Sequence, residues 1–225
     1  MYDRRYEHLT LNFEASGGLL HNSLVLRDKE TDSYWSLMKG QSIAGELSET
    51  PLKELAVGRK LPWREWVEMY PETLVLSVNG QEDDPVDPYQ QYSESEDGFA
   101  GRIASDRRLA TKEPIFGFVL SGDPFAVAQS TVEGGVVFQV LNQFVFLYRP
   151  PDSHIHRSTV AYLSSSSGFG RAEDRWVHLG SSSSFDTGRG VFEPEVTTDL
   201  RRMEGFDTYW YTWSPLHPRT KILAP

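Results

Sequence analysis

The sequence predicts a mainly β fold, a β-rich α+β arrangement. Two similar halves, each a small antiparallel sheet with a short tryptophan-containing helix, pack as one globular unit. Four observations carry this. Short alternating or β-branched runs dominate, glycine and proline punctuate them, and no long amphipathic helical pattern occurs. A unit built around two tryptophans also appears twice at identical spacing.

The elements follow in chain order. His8 to Phe13 alternates polar and apolar residues, as a half-buried strand does. Leu24 to Leu26 and Tyr34 to Leu37 flank the polar, turn-prone Asp28 to Asp32, which predicts a hairpin. Pro62 to Tyr70 is the best helix candidate: proline suits its first turn and Pro71 stops it. Trp63, Trp66 and Val67 share one face, so the helix is expected to lay two indoles onto a sheet. Further strands are expected at Leu74 to Val78, Ile115 to Leu120, Val136 to Val140, Phe144 to Tyr148, Ser158 to Leu163 and Trp176 to Leu179.

The duplication is the most informative pattern. Trp63, Trp66, Pro71, Thr73, Val75 and Leu76 match Trp210, Trp213, Pro218, Thr220, Ile222 and Leu223. Upstream the match weakens: Leu52 to Leu55 resembles Leu200 to Met203, and Trp35 with Gly40 is set against Trp176 with Gly180. The expected organisation is a first repeat half at 1–78, an acidic loop and linker at 79–113, and a second repeat half at 114–225.

Charge narrows the function. The net charge is −10, and residues 1–100 hold 9 basic and 19 acidic side chains, against 13 of each afterwards. Glu82, Asp83, Asp84, Asp87, Glu94, Glu96 and Asp97 fall in one stretch without Lys or Arg, expected to be an exposed, solvated loop. Its spacing is not that of an EF-hand. Nucleic acid is not expected as a partner, because phosphate binding needs clustered Lys and Arg. The absence of cysteine excludes disulfides, Cys-ligated metal and a thiol nucleophile within this sequence. No membrane span is expected, and Met1 to Thr10 is too polar for a secretory signal. The serine runs Ser164 to Ser167 and Ser181 to Ser184 read as flexible connections.

Several segments resemble the domain of unknown function 3179 family. Leu24-Val25, Asp28, Glu30-Thr31, Ser33 and Trp35-Ser36 carry its N-terminal signature. Gly40 to Gly45 resembles its G-x-A-I-x-G, with Ser42 in place of alanine. Both tryptophan units resemble its W-x-x-W-x-x-x-H-P-x-T repeat; Tyr70 replaces the histidine in the first and His217 keeps it in the second. Lys112 to Gly117 resembles its K-E-x-V-x-G element. The resemblance is specific over the first 80 residues and loose from 120 to 205. It implies a C-P-L-C-type motif just before a strand ending F-D-R. Tyr2-Asp3-Arg4 resembles that ending, so the motif would lie upstream of Met1. It implies no established activity, and its members are often exported or lipid-anchored.

Three function classes follow: an uncharacterised β-rich module with no catalytic motif, a thiol or selenol redox protein whose reactive motif lies upstream, and a small-ligand or metal-binding module. The candidate ligand-binding residues are Asn22, Asp28, Thr31, Ser33 and Trp35 on the presumed hairpin, with Trp63, Trp66, Trp210, Trp213 and His217 in the tryptophan units. His154 and His156 alternate, which on a strand would point both to one face; no third ligand is visible, so no metal and no cofactor is expected.

Overall fold

The computed structural model describes residues 2–55, 58–76, 89–194 and 199–225. The fold is mostly β, with several small antiparallel sheets and four short α-helices among the described residues.

Three four-stranded sheets form consecutive layers. The outer layer holds the hairpin Pro114–Leu120 and Asp123–Ala128, with Phe206–Tyr209 antiparallel on one edge and Lys221–Ile222 parallel on the other. The middle layer holds Val136–Val140, Gln143–Tyr148, Val160–Ser164 and Leu200–Arg202. Its strand Gln143–Tyr148 is buried on both faces. Val145 and Leu147 pack with Phe116, Phe118 and Phe125 of the outer layer. Phe146 and Tyr148 alternate with them and join Phe169, Phe185 and Phe192 of the third layer. That third layer runs Phe169–Ala172, Arg175–His178, Ser184–Asp186, Val191–Glu193.

The first half contains one comparable sheet, Phe13–Leu20, Ser23–Asp28, Tyr34–Ser36, Gln41–Ala44, in the same simple meander order. A bulge between Ala15 and Leu19 interrupts its first pairing. The two-residue turn His21-Asn22 closes that hairpin with both φ angles positive, 47° and 65°, which suits asparagine. Small pairings tie down the N-terminus: Tyr2–Asp3 with Lys53–Glu54, and Arg5–Tyr6 with Leu9–Thr10.

The duplication extends to this sheet with an offset of 150. The Asp28 N–H donates to the Ser33 carbonyl at 3.0 Å, and the His178 N–H to the Ser183 carbonyl at 2.9 Å. Asp32 and Ser182 have φ of 59° and 58°, and Gly40 and Gly190 both have φ of 65°. The structural partner of Trp35 is therefore Phe185, not Trp176, and that of Gly40 is Gly190, not Gly180. Trp176 lies one strand earlier, opposite Arg171.

Other expectations need correction. Trp63–Met69 is helical, but Leu74 to Leu76 form no strand and are exposed; Ser77 and Val78 lie outside the described residues. Only the second tryptophan unit lies on a sheet. Its helix Trp210–Trp213 covers the outer hairpin so closely that a Cβ on Gly117 would stand 2.7 Å from the Trp213 ring. Of the acidic stretch, Glu82, Asp83, Asp84 and Asp87 lie outside the described residues, while Glu94 ends a short helix, Gln90–Glu94. His154 and His156 lie in no strand.

Candidate functional site

Four of the five hairpin candidates converge. Asp28 is fully buried and accepts from Trp35 Nε1 at 2.7 Å, from the Thr31 N–H at 2.6 Å and from Thr31 Oγ1 at 2.9 Å. Ser33 Oγ meets Thr31 Oγ1 at 2.8 Å and accepts the Leu47 N–H at 2.9 Å. Burial pushes the Asp28 pKa up, but the hydrogen bonds from Trp35, Thr31 and Ser33 outweigh it and hold the carboxyl below its ordinary value. The cluster spends its polar atoms on its own hairpin and on the loop at Leu47. Asn22 stands apart, in the turn, on an open cleft beside Leu19, His21 and Phe99.

The second half repeats this cluster in different chemistry. His178 replaces Asp28: its Nδ1 meets Ser181 Oγ at 2.8 Å and its Nε2 meets Ser164 Oγ at 3.0 Å. Ser181 and Ser183 then stand where Thr31 and Ser33 stand, 2.8 Å apart. Asp199 collects the Ser164, Ser165 and Ser166 hydroxyls at 2.6 to 2.7 Å, together with the Ser165 and Ser166 N–H groups. Both serine runs, expected to be flexible, are thus held in an ordered network. It is not a nucleophilic triad. There the carboxylate bonds the imidazole nitrogen opposite the serine, whereas here Asp199 lies 3.5 Å from the same Nε2 that meets Ser164.

The tryptophan units share their local geometry. Trp66 Nε1 donates to Thr73 Oγ1 at 2.9 Å, and Trp213 Nε1 to Thr220 Oγ1 at 2.9 Å. The residue before each proline stacks on the second indole: Tyr70 on Trp66 at 4.6 Å, His217 on Trp213 at 3.9 Å. Their surroundings differ. Trp210 and Trp213 are fully buried, with Trp210 Nε1 bonded to the Asp106 carbonyl, whereas Trp63 is 55% exposed.

A cavity of about 180 Å³ lies between the halves. Tyr2, Met38, Gly40 and Glu54 line it from the first half; Phe118, Glu204, Phe206, Trp213 and His217 line it from the second, with exposed Lys39 also at its wall. Tyr2 OH donates to the Leu37 carbonyl at 2.7 Å and lies 3.4 Å from Glu54 Oε1. Burial first, then Glu54, push the Tyr2 pKa well above its ordinary value. Burial likewise raises Glu204. His217 Nε2 is buried without a hydrogen-bond partner. Burial lowers the His217 pKa and Lys39 adds to that, against a hydrogen bond with the Met38 backbone. A neutral imidazole protonated on Nδ1 offers its Nε2 as an acceptor.

A larger cleft, about 910 Å³, is elsewhere, over the third-layer sheet, and none of the expected site residues lines it. It is open and its aromatic surface is already engaged. Trp176 has Arg171 over its ring at 4.6 Å, Phe146 at 5.2 Å and Nε1 bonded to the Gly134 carbonyl. Its size alone does not make it the better site. Among the described residues no group of three His, Asp or Glu side chains is arranged to hold a metal ion. No helix there is long and apolar enough to cross a membrane.

Sequence reasoning singled out His217 but missed Tyr2, Glu54 and Glu204. These come from separate segments, and no spacing links them.

Comparison with known proteins returns one family. The family model described as protein of unknown function (DUF3179) matches residues 1–220. No curated protein and no solved structure matches the chain. Matched over nearly its whole length, the chain belongs to the DUF3179 family.

Proposed function

We propose that this chain is a small-ligand-binding module whose site is the cavity between the halves, and that its ligand class is a small organic ammonium ion. The observation that carries this is His217 Nε2, a buried ring nitrogen without a partner. An unsatisfied buried polar atom costs roughly 1–3 kcal/mol, so a site that keeps one has a use for it. The chemistry around it favours a donor with positive charge. Tyr2, Glu54 and Glu204 supply oxygen acceptors, and Trp213, Phe206 and Phe118 supply aromatic wall.

Burial raises the Glu204 pKa, and a bound cation would oppose that rise, so binding is coupled to proton release. The redox alternative draws its reactive residue from outside this sequence, and the cavity supports a binding role independently of it. The test is titration of the purified chain with methylammonium, followed by Trp213 fluorescence and the His217 imidazole resonances. Saturable binding that acetate and methanol do not reproduce supports the reading. No saturation, or equal response to all three probes, refutes it.

A further inference from the structure

The two tryptophan units share their hydrogen bonds and ring stacking, but only one has a surface to rest on. Lys221–Ile222 of the second unit joins the outer hairpin in parallel, opposite Phe125 and Ala126. Trp213 lies on Gly117 of the same hairpin, where no Cβ fits. In the first unit, Leu74 and Val75 stand where Lys221 and Ile222 stand in the second. Leu74, Val75 and Leu76 are 94%, 57% and 96% exposed and belong to no strand, and Trp63 of the same unit is exposed as well.

The unit is nevertheless anchored at its other end. The Ser158 N–H donates to the Lys60 carbonyl at 3.0 Å, the Lys60 N–H to Ser158 Oγ at 2.8 Å, and Glu65 pairs with Arg157. It is therefore held in place while Trp63 and Leu74 to Leu76 stand exposed, and exposed large apolar residues of this kind mark an interaction surface.

We propose that the Trp63–Leu76 unit is a docking surface for a partner polypeptide that presents an antiparallel β-hairpin like residues 114–128. That hairpin carries phenylalanines on one strand face and a glycine under the second indole. Docking would add Leu74 and Val75 as a parallel edge strand to the partner's hairpin and seat Trp66 on its glycine. Main-chain pairing then supplies affinity and the indole-on-glycine contact supplies selectivity. The chain itself shows what such a partner looks like, because the second unit is already docked on its own hairpin. The requirement for glycine separates this surface from a merely sticky apolar patch.

The test uses a cyclised peptide with the sequence of Pro114 to Ala128 and lysine tags for solubility, added to the full chain while tryptophan emission is followed. Binding should shift the emission to the blue as Trp63 is covered. The Gly117→Val version of the peptide should bind at least tenfold more weakly. Val75→Arg in the chain should weaken binding by at least tenfold while the far-UV spectrum and melting temperature stay unchanged. No binding, equal binding of the Gly117→Val peptide, or indifference to Val75→Arg would each overturn the proposal; the last would mean that the peptide had entered at Trp213 instead. Self-association of the chain that Val75→Arg abolishes would also overturn it, by making a second copy the occupant.

Discussion

His217 lies on Trp213 with ring centroids 3.9 Å apart, and its Nε2 is buried in a cavity wall with no hydrogen-bond partner. The same segment fixes both rings. The His217 N–H donates to the Trp213 carbonyl at 3.1 Å, and Thr220 Oγ1 accepts from the Trp213 indole while donating to the His217 carbonyl at 2.6 Å. The unit that forms the core of the second half thereby also places His217 in the cavity wall.

Thr220→Val should cost about 1–3 kcal/mol, because it leaves the fully buried Trp213 N–H without a partner. Thr73→Val removes the matching bond in a unit that water reaches, and should cost about 0.5 kcal/mol or less. Urea denaturation of the two variants checks the contrast. Equal losses would mean that the first unit is as buried in solution as the second.

Gly117→Ala should destabilise by about 1–3 kcal/mol, since the added methyl meets the Trp213 ring at 2.7 Å and neither the ring nor the hairpin backbone has room to yield. Thermal melting with near-UV circular dichroism would register both the loss and the displaced indole.

Much of the fold is legible in the sequence, and for identifiable reasons. Phe144 to Tyr148 reads as a strand because both its faces are buried, which leaves few polar residues to blur the pattern. The tryptophan units read as a repeat because the indole–threonine bond constrains rare residues at fixed spacing. The sheet duplication was assigned to the wrong residues because its geometry survives while its chemistry does not. Asp28 becomes His178 and Trp35 becomes Phe185, and what persists is a left-handed residue at 32 and 182 and a glycine at 40 and 190. The serine runs read as flexible because composition cannot reveal that Asp199, more than thirty residues on from Ser164, gathers their hydroxyls. The cavity was invisible for a related reason: Tyr2, Glu54, Glu204 and His217 meet only through tertiary packing.

Acid should erode the first-half hairpin through Asp28. Its folded pKa lies below the unfolded value, so its contribution is fully present above the unfolded pKa of about 3.9 and is lost as pH falls through the folded value. The stability difference between wild type and Asp28→Asn, measured by urea denaturation, should be constant from pH 7 to about 5 and shrink below about 4. A difference that persists undiminished through pH 3 would mean that the Asp28 pKa is not lowered on folding.

His217 contributes in the same sense at higher pH. Its folded pKa is depressed by burial, so its contribution is complete above the unfolded value of about 6.5 and declines as pH falls through that value towards the folded one. His217→Asn should flatten the stability profile between about pH 7 and 5. An unchanged slope there would place the titration on another group.

The most direct test of the central claim is the pH dependence of methylammonium binding, read at the His217 imidazole by NMR and compared with the Glu204→Gln variant. Glu204 has a raised pKa in the empty cavity, so affinity should rise with pH as its proton is lost, while the His217 resonances move on saturation. Glu204→Gln should weaken binding by about tenfold, roughly 1.4 kcal/mol, and remove that pH dependence. Methylammonium that leaves His217 unmoved at saturating concentration, or binding that Glu204→Gln does not alter, would contradict the assignment of the cavity as a cation site.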